Sequence, residues 1–230
     1  MRSLLFSLGL GFLLVFSGCK PSKDLSKLPG KTESGNYQAV IEIPAGTNKK
    51  IEYHKEKKEF LIDKRDGKDR IINFLPYPGN YGFIPSTFSN PKLGGDGDAA
   101  DVLVLGESLK TGSVIEIIPI AVLKLIDEKE LDHKIIAIPA ELKDRIIISE
   151  NYQNFNSDYP EVIKILESWF TYYDKSQVLE VEGWGDETEA VMEIEKWSSK
   201  PSKRILSLRN VNHKIIFKHL ATFIFLTKTL

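Results

Sequence analysis

Cysteine is almost absent from this chain: among 230 residues there is one, Cys19. That excludes an intramolecular disulfide, a zinc–thiolate centre and a cysteine nucleophile in the folded body. Histidine is scarce as well. His54, His133, His213 and His219 show no metal-ligand spacing and are assigned to surface or packing. Long apolar runs are also missing, since residues 4–16 and 220–226 are both short for a bilayer. Acid is absent from Lys200 onward, where seven Lys or Arg stand with no Asp or Glu. The preceding residues therefore hold 24 basic against 32 acidic side chains, a net charge of −8 beside −1 for the whole chain. An acidic body argues against a nucleic-acid surface and suits a protein that gathers cations. The body has no internal repeat and no low-complexity segment.

What is present divides into four parts. Met1-Arg2, the apolar residues 4–16 and Ser17-Gly18-Cys19 read as a secretory signal ending in a lipobox-like site, with Cys19 as the lipidated residue. Cleavage there places the protein on a bacterial cell envelope, held to the membrane by its lipid. A plain uncleaved anchor is the rival, and an unused signal leaves the protein cytoplasmic. Residues 20–36 have the composition of a flexible tether. Residues 37–197 form the body, with 42% hydrophobic and 27% charged residues in the chain as a whole, as soluble globular domains have. Residues 198–230 are a basic and apolar tail. It either lies on an anionic bilayer through Lys214 and Lys218 or is a disordered or non-native extension, as from a shifted frame.

Within the body, strands are expected at 37–43, 51–53, 60–62, 102–105, 114–122 and 134–138, with Pro76, Pro78 and Gly79 marking a loop. Helical periodicity begins only behind Pro160, where Val162, Ile165, Leu166, Trp169, Phe170 and Tyr173 recur at three and four residues. A second helix is expected from Asp186, capped by Glu189, carrying Val191, Ile194 and Trp197. Many short strands followed by two helices give a mainly β, α+β fold: a small β-barrel with two C-terminal helices packed outside.

The chemistry concentrates in Gly94-Gly95-Asp96-Gly97-Asp98-Ala99-Ala100-Asp101, which runs straight into an apolar strand. Three carboxylates so close repel one another and call for a cation. Oxygen donors without Cys or His select hard ions, Mg²⁺ or Mn²⁺ for chemistry and Ca²⁺ for structure. A calcium loop is the rival, because Glu107 falls twelfth from Asp96. Its sixth place, however, is Asp101 where glycine is needed, and its fifth is Ala100. Other polar residues interrupt apolar segments: Glu42, Lys50, Glu52, Arg70, Asp127, Asp132 and Lys134. Taken singly, each is more simply a solvated acid, a surface pair or a turn residue. By the same measure Tyr77, Tyr81 and the 169–173 stripe are packing.

In order, these segments resemble the soluble, metal-dependent inorganic pyrophosphatases of the barrel-fold class. The resemblance rests on Ile41-Glu42-Ile43-Pro44, Lys50-Ile51-Glu52, Tyr77-Pro78-Gly79-Asn80-Tyr81-Gly82, residues 96–103, Asp127, Asp132-His133-Lys134 and Trp169-Phe170-Thr171-Tyr172-Tyr173. It implies a five-stranded OB-like barrel and hydrolysis of pyrophosphate by Mg²⁺-activated water, with Mn²⁺ or Zn²⁺ as substitutes. It also implies a homo-oligomer. By position, Asp96, Asp101 and Asp132 match ligands of the tightest metal, and Asp101 is shared with a second. Asp98 matches the catalytic base. Asp127, Asp132 and Glu52 match contacts to further metals. Lys50, Arg70, Tyr81, Lys134 and Tyr173 match phosphate-binding groups, with Glu42 and Tyr77 in support. One departure stands out: the family commonly has Lys after the tyrosine matched by Tyr173, and here that place holds Asp174, with Lys175 following. Lys64 and Arg65 are alternatives for the arginine role. The rival from another class is a non-catalytic lipoprotein of the same fold that binds Ca²⁺ or polyphosphate.

Overall fold

A computed structural model describes residues 23–149, 151–176 and 179–198. Cys19 with its leader, and the tail from 199, lie outside the described residues.

In chain order the strands are β1 (Tyr37–Ile43), β2 (Ile51–His54), β3 (Glu59–Ile62), β4 (Lys64–Arg65), β5 (Lys68–Asp69), β6 (Asn80–Phe83), β7 (Asp101–Val104), β8 (Val114–Asp127), β9 (Glu130–Leu131), β10 (Lys134–Pro139) and β11 (Leu179–Gly185). The α-helices are α1 (Tyr152–Asp158), α2 (Pro160–Tyr172) and α3 (Glu187–Trp197). Strand β1 pairs with β6, β6 with β7, β7 with β10, β10 with β8, and β8 again with β1. Five strands thus close on themselves, as expected of an OB-like barrel, and closure removes the exposed edges of an open sheet. The 14-residue β8 makes this possible: its first residues pair with β1, its last with β11 and β9.

Alternation along the strands divides the core in two. Leu103, Ile136 and Ile138 pack with Phe155, Leu166, Trp169 and Phe170 of α1 and α2. Val102, Val104, Ile135 and Ala137 face the other way, towards Ala190 and Ile194 of α3. Burial on both faces explains why these strands are continuous apolar runs. Close approach also fixes Gly82 at the β1–β6 contact, where a Cβ would lie 1.9 Å from the Val40 carbonyl oxygen.

Several expectations are corrected. Strand β8 continues five residues past Val122 to Asp127. A third helix, α1, was not legible, because Tyr-Gln-Asn-Phe-Asn-Ser-Asp is poor helix sequence with Phe155 as its single buried residue. Ile165, expected on the apolar stripe of α2, is exposed, since the buried face is centred on Ile163, Leu166, Trp169 and Phe170. The tether expected over 20–36 holds to the body at several points from Asp24 onward. Leu28 is buried against Val40, Tyr53 and Phe83, Lys31 pairs with Glu195 at 2.6 Å, and Ser26 accepts from the Ser86 backbone. Polar composition concealed this strap, because besides Leu25 and Leu28 it holds to the body through hydrogen bonds and the Lys31–Glu195 ion pair. The second expected helix begins at Asp186, whose side chain accepts from the Glu189 N–H.

Candidate active site

Strand pairing brings the charged residues together. The parallel register of β7 and β10 sets Asp101 beside Lys134 at the first residue of each strand. The aspartate loop then reaches back to the β8–β9 hairpin: Gly95 bridges Leu131, and the Leu131 N–H donates to the Gly94 carbonyl at 2.7 Å. This closure holds Asp96 and Asp132 over the same strand ends. It requires glycine at 95, where a Cβ would meet Ser89 Oγ at 2.2 Å and its backbone carbon at 2.5 Å.

A cavity of about 320 Å³ opens above these ends. Glu42, Lys50, Glu52, Arg70, Tyr77, Tyr81, Asp96, Asp98, Asp101, Asp127, Asp132, Lys134 and Tyr173 all line it. Residues from seven separate segments of sequence therefore share one wall. Lys55, Glu128, Glu130, Trp169 and Phe170 line it too and were missed as site residues. Lys55, in the turn after β2, approaches Asp98 at 3.6 Å, a pairing that no spacing in sequence signals. Glu107, twelfth in the calcium-loop reading, does not line the cavity and lies exposed beyond the far end of β7. Lys64 pairs with Asp69 at 3.8 Å and Arg65 with Asp174, so Arg70 alone of the three cations lines the cavity.

Among the described residues, nine carboxylates and four cationic side chains line this space. The imbalance is felt by the acids. Burial, with Asp101 and Asp98 adding repulsion, raises the pKa of Asp96. Burial and the Asp101 charge, opposed by Lys134, push Asp132 up to about 6. Glu42 is half-buried, and desolvation raises its pKa to about 8 although it accepts the Tyr53 backbone N–H at 2.7 Å. Asp127 is raised by burial and by Glu128. Lys134 answers the central pair: its ammonium donates to Asp101 at 2.6 Å and also to Asp132. Burial alone would lower its pKa, and the two acids outweigh that and hold it above the ordinary lysine value.

These residues fit a divalent ion on the chemistry of their donors. Asp96, Asp101 and Asp132 offer only carboxylate oxygens, and the raised pKa values of Asp96 and Asp132 are the electrostatic cost that a cation would cancel. Among the described residues no three such side chains form a finished ion cage; Asp101 and Asp132 close on the Lys134 ammonium instead.

Aromatic packing orders the opposite wall. Trp169 stacks on Tyr173 at 4.6 Å with 8° between the rings and lies 4.6 Å from Tyr77. Its indole N–H donates to the Leu75 carbonyl at 2.9 Å, which fixes the stack. Tyr77 in turn packs on Tyr81 at 5.4 Å. Burial raises the pKa of all three tyrosines, so they remain hydroxyl donors. The site therefore presents acids that can hold cations on one side and hydroxyl, ammonium and guanidinium donors on the other, the combination a metal-bridged polyphosphate requires.

Comparison with known proteins agrees in extent and in fold. The profile described as Inorganic pyrophosphatase matches residues 39–201. An inorganic pyrophosphatase of Neisseria meningitidis serogroup B is 36% identical over 181 residues, 75% of this chain and 94% of that protein. One from Saccharolobus solfataricus is 36% identical over 175 residues, 73% of this chain and 93% of that protein. The crystal structure of inorganic pyrophosphatase from Thermus thermophilus superposes with a TM-score of 0.64 at 29% identity, covering 75% of this chain and 95% of that one.

Proposed function

The chain belongs to the inorganic pyrophosphatase family, and from that membership we infer that it is a diphosphatase, hydrolysing pyrophosphate to two phosphates in the cavity between β7, β10 and α2. The observation that carries this reading is the meeting of all thirteen family-matched side chains in one cavity.

Asp96, Asp101 and Asp132 are the residues to hold the first ions, with Asp127 and Glu52 serving ions that arrive with substrate. Mg²⁺ bound there would screen the substrate's charge and lower the pKa of bound water towards neutrality. The chain's own groups do the rest. Asp98, exposed at the cavity mouth, takes the proton of the attacking water. Its backbone N–H donates to Asp96 Oδ1 at 2.9 Å, which ties the base to the metal-holding loop. Lys50, Arg70, Tyr81, Lys134 and Tyr173 bind phosphate oxygens and stabilise charge building on the leaving group. Glu42 and Tyr77 support them, Glu42 by fixing the β2 backbone at Tyr53.

The purified full-length chain should release phosphate from pyrophosphate with Mg²⁺, stop on chelation, and be inhibited when the larger Ca²⁺ replaces Mg²⁺. A folded chain that binds Mg²⁺ and releases no phosphate would sink this reading and leave the binding lipoprotein.

The leader supports an envelope location through a lipid on Cys19. Leu25 already packs on the body, its N–H donating to the Tyr53 hydroxyl at 3.0 Å, so such a lipid would hold the domain close to the bilayer. Among the described residues no helix is long and apolar enough to cross a membrane. Cys19→Ala should move the protein from the membrane fraction to the soluble fraction; unchanged membrane association would argue against lipid anchoring. Family membership is likewise the ground for reading the chain as a homo-oligomer, which a solution mass equal to the 26.0 kDa of one chain would refute.

A further inference from the structure

Asp174 stands where the resemblance puts a lysine, and its surroundings are specific. Arg70 donates from Nη2 to Asp174 at 2.7 Å and from Nη1 to Asp63 at 3.1 Å. Arg65 reaches the same Asp174 carboxylate with both ends of its fork, at 2.9 and 3.3 Å. Ser176 completes the group, its backbone N–H donating to Asp174 at 3.0 Å. Arg65 is carried by the β4–β5 hairpin, whose turn residues Asp66 and Gly67 both have positive φ. The polar hairpin thereby lies against the loop that follows α2.

Charge gives the arrangement its meaning. Asp63 and Asp174 balance Arg65 and Arg70, so the cluster is neutral beside the phosphate side of the cavity. Without Arg65 it would carry a net negative charge next to an anionic substrate. Lys175 does not supply the missing cation, because it is exposed and does not line the cavity. Arg70 also retains a donor: both Nη ends meet carboxylates, while its Nε is buried with no hydrogen-bond partner.

We propose that Arg65, acting through Asp174, is a positioning residue for the diphosphate. It neutralises the acid at the lysine position, and Asp174 with Asp63 then holds the Arg70 fork with its Nε–H left for a phosphate oxygen. The proposal rests on the diphosphatase reading.

The test is Arg65→Gln, alone and combined with Asp174→Asn, in the full-length protein. The Arg65 side chain is 41% exposed, so the change probes the ligand more than the fold. Arg65→Gln should raise the KM for pyrophosphate and the Kd for methylenediphosphonate with Mg²⁺ about tenfold, the order expected of one unit charge at an effective dielectric constant of about 20. Turnover at saturation should stay within about twofold, as for lost ground-state binding. Adding Asp174→Asn should bring both constants back to within about threefold of wild type, because the uncompensated acid is gone. Unchanged constants in Arg65→Gln, a loss that persists undiminished in the double variant, or no diphosphonate binding by the wild type would each overturn the proposal. Calorimetric Kd values are read without turnover. A chain that binds the diphosphonate but releases no phosphate therefore removes the diphosphatase reading alone, and the arginine pair is judged on binding.

Discussion

Asp98→Asn is expected to lower phosphate release from pyrophosphate by about 10³-fold, within the range for loss of a positioned general base. The exchange is nearly isosteric and leaves the loop intact: the backbone N–H of residue 98 still donates to Asp96, and its carbonyl still accepts from the Ser89 N–H. The side chain is 80% exposed, so little packing is lost. What disappears is the ability to accept a proton from water. Substrate binding should change far less than turnover, because the residues assigned to the phosphates lie elsewhere on the cavity wall. A fall of less than about tenfold in a folded, Mg²⁺-binding variant would move the base away from Asp98.

The second large effect is on stability. Lys134→Met should destabilise the metal-free protein by about 3–5 kcal/mol, the usual cost of removing one partner from a buried ion pair. Lys134 is 5% exposed, and its ammonium is shared by Asp101 and Asp132. Methionine fills similar volume but leaves two acids facing one another. The diagnostic feature is how metal changes this loss. If Asp101 and Asp132 are metal ligands, saturating Mg²⁺ should recover much of the stability by binding only the folded state. Hydrolysis should stay impaired, because the ammonium assigned to phosphate is missing. Urea unfolding in chelator and in Mg²⁺ measures both. A variant that unfolds at the wild-type midpoint in chelator, or gains no more from Mg²⁺ than wild type does, would contradict this account.

The sequence carried the site's membership further than its geometry. Asp96, Asp98 and Asp101 declared themselves locally, because three acids in six residues leave few stable explanations without a cation. Glu42, Lys134 and Arg70 were legible only as one ordered set; each alone resembled an ordinary surface or turn residue. Strand runs such as 134–138 and the helix behind Pro160 were also local facts, fixed by side-chain periodicity and by proline and capping chemistry.

Tertiary structure decided what depends on distance across the chain. Closure of five strands rests on β1 meeting β8, and the Asp101–Lys134 pairing rests on a parallel register, neither of which is encoded by neighbouring residues. Lys55 beside Asp98 and Arg65 on Asp174 belong to the same class, being contacts over 43 and 109 positions of chain. Asp174 marks the boundary most clearly. As a residue type it is a reversed charge that weakens a phosphate site. Folded, it accepts from two guanidiniums, which hold its pKa below the usual carboxylate range although burial opposes them. Composition and periodicity determine which side chains the chain has and which faces it buries. Whether an acid near a phosphate site repels the ligand or orders its arginine depends on which charges the fold brings within a few ångströms, because electrostatic energy falls with distance in space, whatever the separation in sequence.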